Sequence, residues 1–201
     1  MDTFLTVKDT ATAIFKDKGS KFIAFIYPVS TIDEIKSILD QKRKEYYDAR
    51  HVCYAYMLGF ERLNFRANDD GEPSGTAGRP ILGQINSANL TDVLIIVVRY
   101  FGGILLGTSG LINAYKTSAC DVINSAEIIT KIVEKSFVAT CDYQTVNDVM
   151  KIIKEYNLEL VKSEYNLDCS FTFKVRTSLI DTVSKKFSNL DFVQFNQLDD
   201  E

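Results

Sequence analysis

The stretch VVRYFGGILLGTSG, Val97 to Gly110, carries the reading of this fold. Its first half completes DVLIIVVRYF, a continuous apolar run of the kind a strand shows when both of its faces are buried. The run ends in Arg99-Tyr100-Phe101, turns through Gly102-Gly103, and enters a helix at Gly107-Thr108-Ser109-Gly110. Over Thr108–Ala126 the residues Leu111, Ile112, Tyr115, Ala119, Val122, Ile123 and Ala126 recur at helical spacing. Gly102 and Gly107 also fall on the two glycines of the phosphate-binding pattern G-x-x-x-x-G-K-[ST], with Ser109 at its final hydroxyl. Thr108, however, stands where the lysine belongs, so nothing reaches a β- or γ-phosphate. Ile104-Leu105-Leu106 fills the loop with apolar side chains expected to pack. The stretch is a strand, a turn and a helix rather than a Walker cradle.

Upstream, Thr12–Phe15 and Lys21–Val29 read as strands, the second rich in aromatic and β-branched residues and ended by Pro28. TIDEIKSILDQKRKEYY follows as a helix. Thr31 and Glu34 form a capping box, and Ile32, Ile35, Ile38 and Leu39 make an apolar face. Lys42-Arg43-Lys44 lies in its last turns, where positive charge complements the helix dipole; a nucleic-acid patch is the competing reading. HVCYAYMLGF reads as a strand with Val52, Tyr54, Tyr56 and Leu58 on one face, and LNFRA as its hairpin partner. Arg79–Ala88, with Pro80 in its first turn, reads as a short helix.

Downstream the pattern is regular: a strand at Glu134–Cys141, a helix at Tyr143–Tyr156, and strands at Leu158–Tyr165 and Asp168–Val175. A helix over Ser178–Phe187, with Ser178 and Asp181 as a capping pair, leads to a strand near Asp191–Phe195. The order βαββαβ suggests a ferredoxin-like sandwich. The fold class is therefore α+β, with an α/β domain over residues 1–130 and a ferredoxin-like domain over 131–201.

Composition sets the partners. Residues 1–132 carry 15 Lys/Arg and 15 Asp/Glu, so the remaining 8 and 12 fall in residues 133–201, which hold the whole acidic excess. A neutral first part and an acidic second part argue against bulk electrostatic binding of nucleic acid, but leave room for a local basic patch. No apolar run approaches the roughly 18 residues of a membrane helix, and MDTFLTVKDT has no secretory h-region. The cytoplasm is expected, with no membrane. Cys53, Cys120, Cys141 and Cys169 are scattered without a C-x-x-C, and are expected to be reduced and mostly buried. His51 and Cys53 share a strand face, but no second pair of zinc ligands lies near them.

Two glycine-rich loops hold the candidate residues. The first, DDGEPSGTAG at Asp69–Gly78, joins Asp69, Asp70, Glu72 and Ser74 with the single histidine, His51, into a candidate loop cluster. Its carboxylates suit either a hard cation or, more simply, a solvated acidic turn. Ser74 with His51 and an aspartate would make a hydrolytic triad, yet PSG is not the nucleophile elbow G-x-S-x-G, and His51 at a strand start suits a structural hydrogen bond. The second loop is the opening stretch. Both loops lead into helix N-termini, where free amides hold anions. The candidate nucleic-acid or phosphate contacts are Arg79, Arg99, Gly102, Gly103, Gly107, Thr108, Ser109 and Lys116. Arg99 ends an apolar strand, so its guanidinium is expected at the sheet's rim, either paired with the DDGE loop or on a phosphate. Arg79 is open to the same two readings.

These segments resemble a known family. DDGEPSGTAGRPIL and VVRYFGGILLGTSGLINAY look like the signature of the IMPACT/YigZ family, and SKFIAFIYPV and ARHVCYAY fit it too. The resemblance covers about the first 125 residues, with Arg99–Gly107 as its RYFGG-x-x-LG core. The remainder is similar to the ferredoxin-like C-terminal domain of the bacterial branch. The resemblance implies an N-terminal fold like the second domain of a small-subunit ribosomal protein and domain IV of elongation factor G. It implies a C-terminal domain similar to domain V of that factor. Eukaryotic relatives regulate translation by competing for the activator of a starvation-responsive initiation-factor kinase.

Three functions are consistent with these residues. One is a non-enzymatic, translation-associated regulator binding RNA or the ribosome through the glycine-rich loops, with Tyr100 or Phe101 stacking on bases. Another is a regulator that binds protein and not RNA. The third is an enzyme on a small phosphorylated or anionic substrate, for which one histidine and three loop carboxylates are a thin supply. No cofactor or metal is expected, and nothing in the sequence sets an oligomeric state.

Overall fold

The computed structural model describes residues 2–198, which form a mixed α/β chain in two compact units: residues 4–131, and residues 2–3 with 132–198. In the first unit, β2 (Ala11–Asp17), β3 (Ser20–Pro28), β4 (His51–Leu58), β5 (Asn64–Asn68) and β6 (Val93–Tyr100) build one sheet in the order β2-β3-β6-β4-β5. Every neighbouring pair is antiparallel. Two short strands with no clear signal in the sequence, β1 (Thr3–Val7) and β7 (Ile128–Ile132), form a separate two-stranded sheet.

Antiparallel sheets commonly leave one face to water. This one is covered on both. The helix α1 (Ile32–Glu45) lays Ile35 and Leu39 on Val52, Tyr54, Leu94, Ile96 and Val98. On the other face α2 (Gly78–Ser87) and α3 (Gly107–Ser125) bring Ile81, Ile85, Ala114 and Tyr115 onto Phe22, Cys53, Ile95 and Val97. Successive residues of β6 thus enter opposite cores, which is why its sequence is apolar without alternation.

The α1 capping box forms as the sequence predicts: Thr31 Oγ1 accepts from the Glu34 amide, and Glu34 accepts from the Thr31 amide. Two cations of the basic run near its C-terminus are engaged within the fold. Lys42 Nζ lies 4.1 Å from the Phe25 ring centroid and 2.7 Å from Glu45, and Arg43 meets Asp70 at 3.0 Å. In α3 the expected face is slightly rotated. Ile112 is 42% exposed and Ala114 is buried instead, because the seam against the sheet runs through Leu111, Ala114, Tyr115 and Ser118, and Ile112 lies about 100° round from Leu111. Of the loop leucines and isoleucine expected to pack, Leu106 does so, whereas Ile104 and Leu105 are exposed.

The second unit runs β8 (Glu134–Cys141), α4 (Val146–Glu155), β9 (Glu159–Tyr165), β10 (Cys169–Arg176), α5 (Ile180–Ser188) and β11 (Val193–Gln197). Its antiparallel sheet has the order β11-β8-β10-β9. Phe187 stacks at 5.5 Å on Phe173 and at 4.7 Å on Phe195, tying α5 to the sheet. Cys141 and Cys169 face one another in register as free thiols. The expected Ser178–Asp181 cap does not form. Ser178 Oγ bonds Asp2 Oδ2 at 2.6 Å, and α5 starts after a 3-10 turn at Thr177–Leu179 with no side-chain cap.

One glycine in the opening stretch is fixed by sterics. Where β6 ends, the Gly102 amide donates to Ser20 Oγ, and a Cβ on Gly102 would lie 1.9 Å from the carbonyl carbon of Gly19. That is backbone against backbone, with no side chain to move aside. Gly102→Ala should therefore cost about 3 kcal/mol, read as a lower urea midpoint with an unchanged m-value; an unshifted midpoint would show that the two chains separate freely.

Candidate functional site

The DDGEPSGTAG loop places its three carboxylates in three different tasks. Ala77, at the N-cap of α2, offers no capping side chain. Asp69 takes that role from eight residues upstream, accepting from the amides of Gly75, Ala77 and Gly78 at 2.8, 3.0 and 2.8 Å. Burial pushes the Asp69 carboxyl up, but these amides and the nearby Arg79 outweigh it and hold the group below the usual carboxylate range. Asp70 turns the other way, at φ +43°. Its carboxylate accepts from the Val52 amide at 2.7 Å and from Arg43.

Glu72 goes inward. Its Oε1 accepts from Arg99 Nη1 at 2.6 Å and from the Tyr115 hydroxyl at 2.8 Å. The two charged side chains are 3% and 7% exposed. Arg99 thus pairs with the DDGE loop, one of its two expected partners, but two expectations are corrected: the pair is buried and not at the rim, and Glu72 is withdrawn from a turn expected to be solvated throughout. A charge desolvated this far needs a partner, and the apolar surroundings of β6 supply none other. Cys53 Sγ lies 3.3 Å from the Tyr115 oxygen and 3.0 Å from the Asp69 carbonyl. Burial pushes both the Cys53 thiol and the Tyr115 phenol up, so at neutral pH both keep their protons.

His51 closes the group. Its Nδ1 lies 2.8 Å from the Asp70 carbonyl, and a carbonyl can only accept, so Nδ1 carries the proton. The other nitrogen, Nε2, stands 3.9 Å from Glu72 Oε1. The cross-strand register sets this geometry, since His51 pairs with Arg99 and Arg99 with Phe22. The Arg99 guanidinium lies 5.6 Å from the Phe22 ring and 5.7 Å from Phe101.

Between this pair and the start of α3 is a cavity of about 420 Å³, lined by Arg50, His51, Glu72, Arg99, Gly107 and Thr108 among others. So His51, Glu72, Arg99, Gly107 and Thr108 come together. Asp69 and Asp70 brace the loop behind them. Gly102, Gly103, Ser74, Ser109, Arg79 and Lys116 do not line this cavity. Arg79 is exposed on α2 with its stem along Gly75, and Lys116 is exposed on α3. Among the described residues no group of three His, Cys, Asp or Glu side chains is arranged to hold a metal ion. Two participants have no signal in the sequence as contributors to a site. Arg50 is marked only by preceding His51, and Tyr115 by nothing beyond its place on an apolar helix face.

The Impact N-terminal domain family matches residues 18–123. Over 171 residues the chain is 32% identical to the IMPACT family member YvyE of Bacillus subtilis, covering 85% of this chain and 79% of that protein. It is 30% identical over 169 residues to the IMPACT family member YigZ of Escherichia coli, covering 82% of each. A crystal structure of a hypothetical protein superposes with a TM-score of 0.74 over the whole of both chains, at 26% identity.

Two outcomes follow from the carboxylates. Arg99→Met and Glu72→Gln should each cost about 3 kcal/mol, since each strands a buried partner, and the double variant should cost at least about 1 kcal/mol less than their sum; additive losses in urea unfolding would show the pair uncoupled. Asp69→Asn should lose about 1 kcal/mol near neutral pH. Because the folded Asp69 carboxyl is lowered, its contribution is present above the unfolded value of about 3.9 and disappears as pH falls through the folded one. The gap between variant and wild type should therefore close in acid, and a gap independent of pH would refute the charge-based cap.

Proposed function

The chain belongs to the IMPACT family, and from that premise we propose that it is a non-enzymatic, translation-associated regulator of the cytoplasm whose first unit binds RNA or the ribosome. Family resemblance supports the regulatory role. The contact surface is argued from charge. At the end of the five-stranded sheet, Lys16 of β2 is the register partner of Lys21 of β3, and Lys21 is the partner of Tyr100 of β6. Lys18 lies in the turn between β2 and β3, and Arg50 immediately precedes β4. None of these four cations forms an ion pair with a described carboxylate.

Like charges directly opposite one another weaken a sheet. A lysine pair, Lys16 exposed and Lys21 half-buried, with no acid to relieve it is a cost to the folded protein, and a phosphate backbone removes that cost by binding. Beside the pair stands Phe101, 44% exposed and free to stack on a base. Tyr100 is less available, since its hydroxyl donates to Asp48, which pushes its pKa up to about 12. The RNA-facing residues of this reading are therefore Lys16, Lys18, Lys21, Arg50 and Phe101 at the rim formed by Gly102 and Gly103. Arg99 is their buried support, and Arg79 and Lys116 are separate.

The same reading extends to the domains. We assign residues 1–130 to a domain of the ribosomal-protein and elongation-factor-G domain IV type, and 131–201 to a ferredoxin-like domain. The second assignment is supported by the βαββαβ order with the last and third strands flanking the first.

Ribosome co-sedimentation over a salt series tests the surface. The wild type should pellet at low salt and be released as salt rises. Lys16→Glu/Lys21→Glu, changes outside both cores, should weaken pelleting at least tenfold and flatten the salt slope by about 1.5, the value for two lost phosphate contacts. No pelleting at low salt, or equal pelleting by the variant, would sink the RNA surface and turn the reading to a protein partner.

A further inference from the structure

The first turn of α3, a helix of 19 residues, has no cap. Leu106 occupies the N-cap position without a side-chain cap bond, and no acid lies in the first turn. Helix geometry gives the amides of Gly107, Thr108 and Ser109 no intrahelical acceptor, and no turn elsewhere in the described chain supplies one. Gly107 and Thr108 line the cavity of about 420 Å³ described above.

A second feature of the same cavity points independently to a ligand. Arg99 lines it, with a side chain only 7% exposed. Its Nη1 is committed to Glu72, but its Nε is buried without any hydrogen-bond partner in the protein. Buried donors are almost always satisfied, and one on a guanidinium is costly to leave bare. The charge count favours an anion. Glu72 is neutralised by Arg99 and hydrogen-bonded by the Tyr115 hydroxyl, which leaves unpaired Arg50 and the positive end of α3. The rest of the wall is apolar, with Pro73, Phe101, Leu105 and Leu111.

We infer that this cavity binds a small organic anion, with an oxyanion head group held by the Gly107 and Thr108 amides, Arg99 and Arg50, and an apolar body against Phe101, Leu105 and Leu111. A volume of this size matches small-molecule sites with few polar anchors in an apolar wall. Carboxylate and phosphate share this head-group chemistry. The site does not depend on the lysine pair that carries the RNA reading.

The test is an amide chemical-shift titration of the full chain with phenyl phosphate and benzoate, each compared with inorganic phosphate and acetate. The aromatic anion should give saturable shifts at Gly107 and Thr108, and bind about tenfold more tightly than its inorganic or methyl counterpart, because the ring leaves water. Phenyl phosphate alone saturating assigns a phosphate head, and benzoate alone a carboxylate; either supports the site. Thr108→Asp places a carboxylate in the first turn, where it stabilises the helix while occupying the anion position. It should stay folded, with a raised Tm, and lose the binding. Lys16→Glu/Lys21→Glu should bind the anion as the wild type does even where ribosome pelleting is lost. No saturable shift with either aromatic anion, or shifts that persist in Thr108→Asp, would overturn the inference.

Discussion

The first unit is organised around one buried contact, the 2.6 Å pair between Glu72 and Arg99. Two ions removed this far from water lose hydration worth several kcal/mol each, and their attraction offsets that loss only when the geometry is good and the remaining donors and acceptors are filled. Tyr115 fills one acceptor site on Glu72, while Phe22 and Phe101 cover the guanidinium. The net stabilisation of such a pair is small. What it supplies is position, since a loop, a strand end and a helix all have to reach the same point or leave a bare charge. The DDGE loop can therefore sit in one place relative to α3, and the cavity between them acquires fixed walls.

The glycines follow from the same crowding. Gly71 adopts φ +85° against the His51 ring, and Gly78 lies so near β5 that a Cβ would meet the Asn68 amide nitrogen at 2.5 Å. Gly102 is excluded from bearing a side chain by the turn at Gly19. Only Gly107 resembles its counterpart in a phosphate loop, because it opens a helix at φ +72° with open space where a Cβ would stand. The pattern G-x-x-x-x-G in this chain thus joins two unrelated requirements, close backbone approach at one glycine and helix entry at the other. A phosphate-binding motif and a packing constraint can share a spacing without sharing a cause.

What was legible in the sequence was what local chemistry decides. The α1 capping box needs only Thr31 and Glu34, and the faces of β4 need only a period of two. The continuous apolar run of β6 announced burial on both sides. What escaped was set by distant partners. Ser178 reads as a helix cap until Asp2, 176 residues away, takes its hydroxyl. The strands β1 and β7 are each five residues long and find each other across most of the first unit. Arg99 reads as a rim residue because the strand before it is apolar. Its burial depends on Glu72, 27 residues away, turning inward, and Glu72 in turn on Tyr115, 43 residues away. The lysine pair was invisible for a related reason, since Lys16 and Lys21 become neighbours only when the β2–β3 register is fixed.

Net charge proves a poor guide to such a surface. The first 132 residues are neutral by count, yet the fold sorts their charges unevenly. Of the basic run that looks most like a nucleic-acid patch, Lys42 lies over aromatic rings and Arg43 holds the DDGE loop. Asp69, Asp70 and Glu72, the densest acids, are taken up by amides, Arg43 and Arg99. Once these internal pairings are removed, cations remain at the sheet end beside Phe101, and an uncompensated helix terminus remains at the cavity. A potential that acts on a partner comes from the charges folding leaves unpaired. In this chain Lys16, Lys18, Lys21 and Arg50 gather at one end of the sheet.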